Sequence, residues 1–129
     1  MWGWVVAERA RFLFADQLGP HFDHGGSLLF VESKDVFRRH RYHRQKAHLI
    51  LSALWHRVQE DPDRVQLVRA DTYRAGLAST DTAQMEAVAA TSRPARRLQR
   101  DLGFAEILPE RGWFTTADEF GAWVQSRGS

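Results

Sequence analysis

The chain has 129 residues, the length of one domain, and its 43% hydrophobic and 26% charged residues, with five Trp and eight Phe, exclude a disordered polymer. The formal charge is only +2 although the sequence pI is near 9.5, so the global field argues weakly for nucleic acid. Cysteine is absent, which removes disulfides, thiol catalysis, Cys-ligated zinc and any iron–sulfur cluster held by these residues.

The opening Met1-Trp2-Gly3-Trp4-Val5-Val6-Ala7 is apolar but shorter than a signal-peptide core, and Glu8 and Arg9 follow where a cleavage site would stand. No window reaches the length of a transmembrane helix, so the simplest reading is a cytoplasmic protein without a membrane partner. Strand-like runs and helical patterns then alternate to the end, the order expected of a parallel sheet with crossover helices.

Arg11-Phe12-Leu13-Phe14-Ala15 reads as a central strand, closed by the loop Asp16-Gln17-Leu18-Gly19-Pro20. After the turn-like His24-Gly25-Gly26-Ser27, the apolar run Leu28-Leu29-Phe30-Val31-Glu32 suits a strand buried on both faces and ends on a carboxylate. From Tyr42 to Gln59, Ala47, Ile50, Leu51, Leu54, Trp55 and Val58 follow helical spacing, until Asp61-Pro62-Asp63 stops the helix. Val65-Gln66-Leu67-Val68 is a third strand, and Tyr73 to Ala78 a short helix before the polar stretch Ser79-Thr80-Asp81-Thr82.

A fourth strand, Glu86 to Ala90, leads into Ser92, an N-cap for a helix with Pro94 in its first turn and Gly103 at its end. Ala105-Glu106-Ile107-Leu108 supplies a fifth strand, and Thr116-Ala117-Asp118-Glu119 is a capping box for a last helix through Phe120, Trp123 and Val124. Five strands and about four helices make one Rossmann-like, three-layer α/β/α domain over residues 1–129, with a five-stranded parallel sheet and no internal repeat.

In such a sheet ligands bind beyond the carboxyl ends of the strands, where strand order reverses. Asp16, Gln17, Leu18, Thr91 and Ser92, joined by Glu32 and Ser33, are therefore expected to form a polar crevice. The plainer alternative is that Asp16 and Gln17 tie down loop backbone, Ser92 only caps its helix, and an arginine neutralises Glu32.

Neither Gly-x-Gly-x-x-Gly nor a Gly-x-x-x-x-Gly-Lys loop occurs, which disfavours dinucleotide and triphosphate binding. His21-Phe22-Asp23-His24 and His40-Arg41-Tyr42-His43 lack further ligands nearby, so packing or solvated histidines are the better reading than metal. Phe37 to Lys46 interleaves five cations with aromatic rings; this segment either contacts phosphate or forms a solvated or docking face. No Ser-His-Asp or paired-carboxylate constellation emerges, so catalysis within the chain is not expected.

Arg11-Phe12-Leu13-Phe14-Ala15-Asp16-Gln17-Leu18-Gly19 resembles the strand and Asp-Gln-Leu loop that open the bacterial deoxyribodipyrimidine photolyase-related proteins. Val31-Glu32-Ser33 followed by Tyr42-His43-Arg44-Gln45-Lys46 is similar to that family's next segment, with Tyr42 and Arg44 in place of the usual His and Lys. Glu106-Ile107-Leu108-Pro109, Trp113-Phe114 and Glu119-Phe120-Trp123 resemble its closing strand and helix, so the likeness spans residues 11–127.

The resemblance implies an amino-terminal antenna domain. In the full protein it would join a helical domain holding FAD and a [4Fe–4S] cluster, which repairs ultraviolet-damaged DNA, typically pyrimidine (6-4) photoproducts, by light-driven electron transfer. It further implies a 6,7-dimethyl-8-ribityllumazine antenna pigment beside Asp16, Gln17 and Leu18, with Glu32 and Tyr42 as further contacts. Damaged DNA would be met only through the full-length protein, because neither the flavin pocket nor the cluster ligands are present here. The rival readings are a stand-alone nucleotide-binding module and a DNA- or partner-docking domain.

Overall fold

The computed structural model describes residues 9–40, 44–109 and 117–127. Five strands, β1 (Arg11–Leu13), β2 (Leu28–Ser33), β3 (Val65–Ala70), β4 (Glu86–Val88) and β5 (Glu106–Leu108), form one sheet in the order β3-β2-β1-β4-β5. Every neighbouring pair is parallel, with Leu13 beside Phe30, Glu32 beside Arg69, Arg11 beside Glu86 and Glu86 beside Glu106. The expected Rossmann-like α/β architecture is the observed one.

Alternation along the strands divides the core between the two faces of the sheet. Leu13, Leu28, Phe30, Val65 and Val88 face one side, where Ile50, Leu54 and Val58 of α2 (Arg44–Glu60) cover them. Phe12, Phe14, Leu29 and Val31 face the other, under Tyr73 of α3 (Tyr73–Gly76), Leu77, and Ala95, Leu98 and Leu102 of α4 (Arg93–Leu102). On that side the Phe12 ring stacks on Phe104 at 5.6 Å and meets Phe14 edge-on at 5.1 Å.

The helix caps follow the sequence closely. Ser92 Oγ accepts from Ala95 N, Thr72 Oγ1 accepts from Ala75 N, and Gly103 ends α4 at φ +70°. The described part of the last helix, α5, covers Ala117–Arg127; the capping threonine and Tyr42 lie outside the described residues.

Two features depart from the sequence reading. An additional helix, α1 (Lys34–His40), follows β2 without a loop. It lacks an apolar stripe and is started instead by polar contacts: Ser33 Oγ accepts from Val36 N, and Asp35 N donates to the Asp71 carbonyl. Leu51 and Trp55 also belong to the flank of α2 rather than its buried stripe, and Trp55 is 42% exposed where Leu54 is 2%.

The connection from β1 to β2 contains a 3-10 turn at Pro20–Phe22 in place of a crossover helix. An irregular crossover leaves backbone groups without ladder partners, and arginines supply some of them: Arg11 Nη1 donates to the Phe22 carbonyl at 2.7 Å and Arg64 Nη1 to the Gly26 carbonyl at 2.7 Å. Phe22, 7% exposed, fixes the segment in the core. Among the described residues no helix is long and apolar enough to cross a membrane.

Candidate functional site

The direction of winding reverses between β1 and β4, so the carboxyl edge there is where this fold can open a crevice. Residues 14–17 form a turn closed twice, by Gln17 N donating to the Phe14 carbonyl at 2.9 Å and by Phe14 N donating to Gln17 Oε1 at 3.0 Å. Gln17 Nε2 then reaches across to the Val88 carbonyl at 3.0 Å.

From the far side Gln99 of α4 approaches the same strand end. Its Nε2 donates to the Val88 carbonyl at 2.7 Å, its Oε1 accepts from Ala90 N at 3.0 Å, and Arg96 Nε donates to the Ala90 carbonyl at 2.6 Å. Gln17 and Gln99, 4% and 1% exposed, thus lie between the strand ends and satisfy backbone there. Asp16 next to Gln17 is exposed, as are Thr91 and Ser92. These exposed groups remain available to a ligand, whereas both polar atoms of the Gln17 amide are occupied within the protein.

Glu32 occupies a second station on this edge, at the end of β2. Its side chain is 13% exposed and its Oε2 lies 3.3 Å from Arg69 Nε. The Arg69 guanidinium in turn sits 5.0 Å above the Trp55 ring. Carboxylate, guanidinium and indole make a half-open stack on the α2 side of the sheet, and the neutralising arginine considered from the sequence is Arg69. Ser33 beside it is buried and its hydroxyl donates to the Asp71 carbonyl, so it shapes the edge from within.

Leu18 lies elsewhere. It lines a hollow of about 670 Å³ between the β1–β2 crossover and α2, together with Pro20, Asp23, Ala53, His56, Arg57, Glu60, Asp61 and Arg64. That volume is within the range of small-molecule sites. Its charged wall is self-paired: Asp23 Oδ2 accepts from Arg57 Nη2 at 2.6 Å and from Arg64 Nη2 at 3.0 Å, and Arg64 Nε donates to Asp61 Oδ2 at 2.6 Å. The Arg64 hydrogen bond holds the Asp23 carboxyl well below the usual carboxylate range; burial opposes this, and the Gly25 N–H with the charges of Arg64 and Arg57 adds to it. Asp23 and Asp61 reciprocally push the Arg64 guanidinium further up.

The five candidate contacts therefore fall into distinct settings: Asp16 exposed at the reversal point, Gln17 interior to it, Leu18 in the neighbouring hollow, Glu32 in the indole stack, and Tyr42 outside the described residues. Gln99, Arg69 and Trp55 were missed as parts of this edge. Trp55 was legible only as a helix residue, Arg69 lies far along the chain from Glu32, and Gln99 meets Val88 and Ala90 only because α4 folds back over the end of β4. Compared with protein-family models, curated proteins and solved structures, the chain matches none.

Proposed function

We propose that this chain is the light-harvesting, chromophore-binding domain of a DNA photolyase-related protein, an antenna module of a cytoplasmic flavoprotein rather than a catalyst by itself. The observation that carries this reading is the position of the loop that opens with Asp16 and Gln17, one of the ordered resemblance motifs, at the winding reversal of the parallel sheet. A planar pigment with a polar ribityl chain needs a ring platform and hydrogen-bonding groups close together. The Glu32–Arg69–Trp55 stack and exposed Asp16 are of those kinds.

In this reading Asp16 and Glu32 contact the pigment and Gln17 holds the loop in place, while Leu18 lines the neighbouring hollow and Tyr42 stands as a contact implied by the resemblance alone. The pigment would supply absorption of light, and FAD and a [4Fe–4S] cluster would belong to a helical domain outside this chain. The domain's own residues would orient the pigment and exclude water from its ring.

Titrating the protein with 6,7-dimethyl-8-ribityllumazine while following pigment fluorescence anisotropy tests the proposal. Saturable binding, weakened ten-fold or more by Glu32→Ala or Asp16→Ala with the fold intact, is the expected result. Anisotropy that never saturates with the folded protein removes the antenna assignment.

A further inference from the structure

The small net charge conceals a strong segregation. Residues 33–59 hold seven Lys or Arg against Asp35 as the sole carboxylate, while the rest of the chain holds eleven against fifteen. A segment of net +6 is thus set into a remainder of net −4, and four of the six histidines fall in the same segment.

The fold turns most of this charge outward. Lys34, Arg38 and Arg39 are exposed on α1, at the carboxyl edge of the sheet, and Arg44 and Lys46 are exposed on the first turn of α2. The first described turn of α2 carries no acidic residue. Asp35, the one carboxylate of the segment, engages Arg39 at 2.9 Å, and the segment's Arg57 turns inward, to Asp23. His48 continues the exposed face along α2.

The geometry points to α1 and the amino-terminal half of α2 as a surface that binds the phosphate backbone of nucleic acid. Protein interfaces centre on an apolar core from which charge is depleted, and the large apolar side chain exposed on this half of α2 is Leu49 alone among the described residues. Several fixed cations against a single carboxylate in this segment suit phosphate contacts, since each contact displaces condensed counterions. The inference is independent of the pigment reading, which concerns Asp16 and Glu32.

Binding of the full chain to a fluorescent 20-mer, as duplex and as single strand, tests it across a range of salt concentrations. Three or four phosphate contacts predict a log–log salt slope of about −3 to −4 for at least one of the two forms. Arg38→Ala with Arg44→Ala is expected to reduce that slope by about 2. Arg97→Ala with Arg100→Ala removes the same charge from exposed sites on α4 and is expected to leave it unchanged. Equal losses from both pairs, affinity for poly-glutamate matching that for the oligonucleotides, or no salt-sensitive binding would each overturn the proposal.

Discussion

Gln17 and Gln99 donate to the same acceptor, the carbonyl oxygen of Val88, at 3.0 and 2.7 Å. One comes from the loop after the first strand and the other from the helix after the fourth, so the two lone pairs of a single carbonyl join both sides of the winding reversal. Each amide also accepts a backbone N–H, Gln17 Oε1 from Phe14 N and Gln99 Oε1 from Ala90 N.

Gln17→Leu and Gln99→Leu are each expected to cost about 2–4 kcal/mol, since each strands a buried backbone N–H. The double variant should lose more than the sum, because the Val88 carbonyl then loses both amide donors. Urea unfolding of the four proteins gives the coupling directly, and strict additivity would show that the shared acceptor does not link the two sites.

Arg11 and Glu86 form a buried ion pair in register across β1 and β4, with Nε and Nη2 of Arg11 at 3.0 and 2.7 Å from Glu86 Oε2. Glu86→Ala is expected to destabilise the domain by about 3–5 kcal/mol because it leaves a buried guanidinium charge. Arg11→Leu combined with Glu86→Leu should recover most of that loss. Thermal denaturation of the single and double variants distinguishes a pair that stabilises from one that chiefly specifies register.

Asp23 links stability to acid. Its folded carboxyl titrates below the unfolded value of about 3.9, so its contribution is present above that pH and disappears as pH falls through the lowered folded value. The domain should therefore lose stability from about pH 4 downward, and Asp23→Asn should flatten this acid limb while costing about 2 kcal/mol at neutral pH. Urea midpoints measured from pH 7 to pH 2 provide the comparison; parallel curves for the two proteins would remove Asp23 as the linked group.

Gly76 marks the closest approach of α3 to the sheet. A Cβ there would lie 2.6 Å from Val31 Cγ1 and 3.0 Å from Cγ2. Gly76→Ala is expected to cost about 1–3 kcal/mol through overpacking, and Val31→Ala in the same chain should relieve the clash, leaving the double variant less destabilised than the two single effects summed. Calorimetric midpoints report both effects.

The strands were legible because Leu28 to Val31 and Val65 to Val68 are apolar runs between turn residues, and the caps because Ser92 and Gly103 have local chemistry that depends on few neighbours. Helix α1 was not legible, since what initiates it is the Ser33 hydroxyl together with the carbonyl of Asp71, a residue on another strand end. The candidate edge was half legible: the loop Asp16-Gln17-Leu18 and Glu32 stand out at strand ends, but nothing local distinguishes an amide that meets a ligand from one that meets Val88.

Hydrophobic periodicity and turn chemistry, both short-range, determined by themselves that this chain builds a parallel α/β layer with a polar carboxyl edge. The partners of Gln17, Glu32, Arg11 and Asp23 were decided only when the strands took the order β3-β2-β1-β4-β5. Hydrogen bonds and ion pairs act over about 3 Å, and which side chains come that close across the fold is set by crossover topology, not by spacing along the sequence.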